Sequence, residues 1–208
     1  MPTINPRPPL PDAAVLAAFD AVAVAASVRA VADATDADLD RPTPCAAWSL
    51  RDLLAHMTTQ HRGFAAASRG ETDADVWRTR PSGADPVGDY RAAAEAVQEA
   101  FAAPDIADRA FALPEIHPEW RFPAAQAISF HFVDYVVHSW DVARALGRDV
   151  RFPAGLLDAA LVVARAVPGG DARLSPTAAF GPELPRPAEA TVLDDILATL
   201  GRDPRWRP

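Results

Sequence analysis

Twenty-one prolines are spread along 208 residues in which alanine is the commonest apolar residue, and this pairing constrains the fold more than any single motif. A proline ring removes a backbone donor and blocks the continuation of a helix, so each proline cluster marks a boundary. Alanine is the strongest helix former, and the few β-branched runs are too short to build sheets. The chain is therefore expected to be all-α, cut by its prolines into separable helices.

Reading between the boundaries, residues 1–10 are expected to form an extended arm and residues 11–208 a single helical domain. From Pro11 to about Val31, the residues Val15, Leu16, Phe19, Val22 and Val28 recur at helical spacing and predict a first helix in a bundle core. The Pro-rich stretch Arg41 to Cys45 ends whatever precedes it, and Ser49 with Asp52 three positions on resembles a capping box. A second helix follows from about Leu50 to Ser68, with Leu50, Leu53, Leu54, Met57 and Phe64 as its packing stripe, His56 beside that stripe, and Gly70 as the stop. A third runs from Pro86 or Val87 to about Ala103. Residues 108–121 alternate poorly among Pro114 and Pro118 and predict an irregular connection with a short hairpin, placed to roof a pocket. The longest helical pattern spans Pro123 to Leu146 and stops at Gly147; shorter helices are expected over Pro153 to Val167 and from about Ala190 to Leu200.

Composition removes several function classes. A net charge of −8 without a basic cluster argues against a nucleic-acid partner, whose phosphates need clustered cations. All 20 basic residues are arginine, so neither Schiff-base lysine chemistry nor a P-loop lysine is available. The single cysteine, Cys45, cannot close an internal disulfide, and the first residues lack the basic and apolar regions of a signal peptide. A reducing cytoplasm is the expected location. No uninterrupted apolar stretch reaches the length of a membrane span, the best candidate, Ala13 to Ala26, being broken by Asp20.

Chemistry concentrates on the longest helix. His131, Asp134, His138 and Asp141 fall at i, i+3, i+7 and i+10, along one face. Asp134 and His138, four apart, can converge on one point, and His56 supplies a third donor if the second helix faces this one. A divalent ion would satisfy a carboxylate and two imidazoles among the apolar neighbours Phe130, Val133, Val137 and Trp140. The same spacing suits a hydrogen-bonded core network or a surface face without function. Asp141 is expected to pair with Arg144, three positions on, and His131 to be a core or supporting histidine. His61 points to another face, His117 lies in a surface loop, and Cys45, with no base in view, reads as an inert buried thiol.

The stretch Thr43-Pro44-Cys45-Ala46-Ala47-Trp48-Ser49-Leu50-Arg51-Asp52-Leu53-Leu54-Ala55-His56 resembles the opening signature of the mycothiol-dependent maleylpyruvate isomerase metal-binding domains, a branch of the DinB-like superfamily. Asp134 to Ala145 resembles the second signature, an acidic residue followed three residues later by a histidine and then a Trp-Asp pair, and Phe180 to Pro204 resembles the end of a single-domain subfamily. The resemblance implies a four-helix bundle with additional short C-terminal helices and a metal held by His56, Asp134 and His138. The acidic ligand is commonly glutamate in isomerase-like members, where this chain has Asp134. The isomerase proper carries a further C-terminal domain for which this chain is too short, so the maleylpyruvate reaction itself is not implied.

Two imidazoles and one carboxylate leave coordination positions open, as a catalytic site requires. Zinc suits that donor set, and nickel or iron accept it. The expected activity is that of a mycothiol-dependent, or other small-thiol-dependent, transferase or isomerase on a small electrophile. A non-catalytic metal-binding or stress-response domain and a metal-dependent hydrolase are the alternatives. The expected partner is a small-molecule substrate, with no nucleic acid and no membrane, and a homodimer is allowed.

Overall fold

The computed structural model describes residues 10–45, 48–175 and 178–208. Six α-helices carry the described fold: α1 Ala13–Val31, α2 Leu50–Ser68, α3 Pro86–Phe101, α4 Ala124–Ala145, α5 Ala154–Ala164 and α6 Val192–Thr199. The only described sheet is a small antiparallel hairpin, β1 Ala110–Ala112 and β2 Arg121–Pro123, pairing Phe111 with Phe122. The all-α expectation holds, and the hairpin lies where the irregular connection was predicted. The expected arm lies outside the described residues except for Leu10.

α1 lies along α4 and α2 along α3, while α1 also meets α3 and α2 meets α4, which closes a four-helix bundle. Its interior is filled by Leu16, Val24, Leu53, Met57, Val97, Phe101, Ile128, Phe132 and Val136. α5 packs on α4, and α6 on α5, as an additional layer.

Local chemistry explains the ends. Asp12 accepts the amide of Val15 and starts α1. Ser49 and Asp52 form the reciprocal capping box that starts α2. α4 stops where Gly147, at φ +67°, lets the amides of Gly147 and Arg148 bond back to Arg144 and Ala143. α3 and α5 end two and three residues earlier than expected, and α6 begins at Val192 because Thr191 forms a capping box with Asp194.

By length and mean hydropathy α1 could cross a membrane, although Asp20 interrupts its apolar run. In the bundle its two polar interior residues are occupied: Asp20 bonds to His131 on α4 and Ser27 to Tyr90 on α3. That pattern is the one a core helix shows.

Candidate metal centre

The segment before α2 is folded back on itself before any ligand is placed. Pro42 bridges to Ser49, the Leu50 amide donates to the Arg41 carbonyl, and the Thr43 hydroxyl donates to the Trp48 carbonyl at 2.9 Å. This sets the Trp48 ring over His56, with centroids 4.7 Å apart. The capping box fixes the start of α2, and two turns later the helix presents His56 toward α4.

On α4, His138 Nδ1 lies 2.9 Å from Asp141 Oδ2, while Nε2 lies 3.4 Å from Asp134 Oδ1. The His56 and His138 rings approach edge-on, with centroids 5.4 Å apart. One ligand atom each from His56, Asp134 and His138 lies within 4.8 Å of the other two. Two ligands about 2.1 Å from one ion at a tetrahedral angle are about 3.4 Å apart, so the His138–Asp134 spacing fits a shared ion. By donating Nδ1–H to Asp141, His138 turns Nε2 toward Asp134, the arrangement usual for a metal-binding histidine.

The electrostatics divide the two imidazoles. Burial, with the neighbouring His138 next in weight, pushes His56 down to about 4 against the pull of Asp134, so its ring is neutral and able to coordinate. His138 is buried too, but Asp134 and Asp141 outweigh that burial and raise it well above the ordinary imidazole range. A cation arriving between Asp134 and His138 therefore takes the place of a proton.

A second cluster shares His138: ligand atoms of Cys45, His138 and Asp141 also lie within 4.8 Å of one another. Here a cation is already built in. Arg202 Nε lies 3.1 and 3.3 Å from the two Asp141 oxygens, and its Nη2 donates to Cys45 Sγ at 3.0 Å. Burial works against the Asp141 carboxylate, yet Arg202 and His138 hold it below the usual carboxylate range. A metal ion at this cluster would face the guanidinium that already bonds Asp141 and Cys45.

Two expectations are corrected. Asp141 does not pair with Arg144: it points inward to Arg202 and His138, while Arg144, in the last turn of α4, reaches Asp149 at 3.0 Å and lies over the Trp140 ring. Cys45 is half-buried and bonded to Asp141 and Arg202, not an isolated thiol. Both partners are remote in sequence, and no local pattern announces them.

His131 is a core histidine. Its Nδ1 lies 2.6 Å from Asp20, its Nε2 lies 3.1 Å from His61 Nδ1, and His61 Nε2 reaches the Tyr90 hydroxyl, which meets Ser27. This fully buried chain takes residues from all four bundle helices, and the Tyr135 ring, stacked on His61 and His131, meets His138 edge-on. His61 points away from His56, as expected, and His117 stacks on the exposed Trp120 ring of the hairpin loop, with centroids 4.2 Å apart. That loop is tied to α2 where Gln60, one turn beyond His56, donates to Glu115 at 2.8 Å.

The family described as mycothiol maleylpyruvate isomerase N-terminal domain matches residues 21–143, which contain all three candidate ligands. Two uncharacterized proteins of Mycobacterium tuberculosis, from strains H37Rv and CDC 1551, are each 34% identical over 169 residues, covering 80% of this chain and 86% of the relative. No solved structure matches significantly. From its bundle and from the match over most of that bundle, this chain belongs to the mycothiol maleylpyruvate isomerase N-terminal domain family, within the DinB-like superfamily.

Proposed function

We propose that the protein binds a divalent metal ion through His56, Asp134 and His138 and works with a small thiol, mycothiol by family, as an S-transferase or isomerase on a small electrophile. The observation that carries this reading is the convergence of three donor atoms from two helices within 4.8 Å. Zinc suits two imidazoles and one carboxylate, and nickel or iron accept the same donors. Once bound, the ion would lower the pKa of a thiol, ordinarily about 8.5, and so supply a sulfur nucleophile at neutral pH.

The chain's own residues prepare that chemistry. Asp141 orients the His138 ring and Trp48 packs over His56, which limits the angles the imidazoles can adopt. His138 is almost fully buried whereas the Asp134 side chain is 22% exposed, so the open side of the site lies by the carboxylate. A thiol and an electrophile would enter there. The apolar surroundings of α4 exclude competing water and strengthen each charge inside.

Elemental analysis of protein purified without an affinity tag should find close to one divalent ion per chain in wild type and almost none in His138→Ala. Turnover of a model electrophile should require added small thiol. Metal-free wild-type protein that still binds a thiol, with His138→Ala unchanged, would overturn the metal assignment. Turnover that persists without thiol would instead support the hydrolase reading.

A further inference from the structure

Arg202 lies outside the region matched by the family, on the segment after α6, yet it reaches the metal centre. We propose that Arg202 is a positioning residue of this centre, so that the C-terminal segment completes a site whose candidate ligands all lie in the bundle. The proposal rests on the metal reading above and adds to it a part of the chain beyond the matched residues 21–143.

The segment that presents Arg202 is held in place by the backbone. Gly201, at φ +78°, ends α6 with its own amide bonded to Ala198 and that of Arg202 bonded to Leu197 at 2.8 Å. A Cβ on Gly201 would lie 2.8 Å from the backbone of Gly181, so the turn is wedged against a second strand of chain that only glycine lets so close. Arg173 fastens the same turn by donating to the Thr199 carbonyl, and to those of Pro168 and Val167 after α5.

From this turn the Arg202 side chain, 12% exposed, contacts Asp141, which is 0% exposed. Asp141 Oδ2 also accepts the Nδ1–H of His138. One buried carboxylate thus joins a guanidinium on the C-terminal segment to the imidazole whose opposite nitrogen faces Asp134 and His56. The Arg202 Nη2 contact to Cys45 Sγ adds the loop before α2 to the same point. Without the guanidinium, Asp141 would be a buried charge balanced only by the histidine it has to orient. With it, the carboxylate is anchored by Arg202 and the Cys45 thiol and the ring it holds is fixed. Outer partners of this kind usually change metal affinity 10–100-fold when removed.

The test is Zn(II) titration of the full chain against a chromophoric competitor, for wild type, Arg202→Met, Arg202→Lys, Asp141→Asn and the double variant Asp141→Asn/Arg202→Met. The expected result is a 10–100-fold weaker Zn(II) affinity for Arg202→Met. Arg202→Lys should recover part of the loss, and the double variant should bind little more weakly than Asp141→Asn alone. Zn(II) should also slow amide hydrogen exchange over residues 192–203 in wild type and not in Arg202→Met. Wild-type affinity in both Arg202 variants, or exchange over 192–203 that ignores Zn(II) in wild type, would overturn the proposal. If Arg202→Met does not fold, Arg202→Lys, which keeps the charge but lacks the planar fork, decides by the same affinity. Zn(II) binding to wild type with unchanged Arg202 variants defeats this proposal alone, whereas absence of binding to wild type defeats the metal reading beneath it.

Discussion

His61 illustrates how a buried residue can make stability depend on pH. Burial, and then the charges of His131 and His138, hold it well below the ordinary imidazole value of 6.5. In the unfolded chain the same imidazole takes up a proton near its ordinary value, so the unfolded state binds more protons in this window and stability rises with pH across it. Below that value the folded state should lose up to about 1.4 kcal/mol per pH unit from this group alone. Urea midpoints at pH 7.5, 6.5 and 5.5 should diverge less in His61→Gln than in wild type, and the difference between the two isolates this residue. Its neighbour Asp20 tests the same network differently. Asp20→Ala leaves His131 without its 2.6 Å partner and should cost about 3–5 kcal/mol, whereas Asp20→Leu combined with His131→Leu should cost less, because the carboxylate and the imidazole it pairs with leave the core together and only His61 Nδ1 loses a partner. Denaturant titration of the three proteins checks this.

Each element that bears a candidate ligand depends on a terminal device. Ser49 and its partner Asp52 start α2, and Ser49→Ala should lower stability by about 1 kcal/mol in thermal or urea unfolding. The Ser49 side chain and amide hold the Asp52 carboxyl below its ordinary value of 3.8, so the contribution of the box is complete above that value and is lost as pH falls through the depressed one. The acid limb of the stability profile should therefore flatten in Ser49→Ala. The glycine stops are not equivalent. Gly147 has open space where a Cβ would stand, so Gly147→Ala meets only the strain of its φ of +67°, about 1 kcal/mol. Gly201→Ala adds contact with the Gly181 backbone and should lower the melting temperature further.

For the molecule as a whole, an ion that binds the folded state and not the unfolded one should raise stability by about 2.7 kcal/mol at a hundredfold excess over Kd. For a chain of this size that is about 5–10 °C in melting temperature. A chelator should reverse the shift, and His138→Ala should show none. Much of this organisation was legible in the sequence. Prolines, caps and apolar periodicity determine six helices and most of their ends, because these are local preferences written within a few residues, and the i, i+4 spacing puts Asp134 and His138 on one side of one helix whatever surrounds it. The two family signatures likewise name His56 as their partner without reference to any contact. What only the tertiary structure decided is who neutralises whom. The ion pair expected between Asp141 and Arg144 is replaced by one with Arg202, 61 positions away, and Cys45 finds Asp141 across 96. A buried carboxylate takes whichever cation the packing brings to it, and that choice depends on how the C-terminal turn lies against the bundle, which no spacing along the chain records.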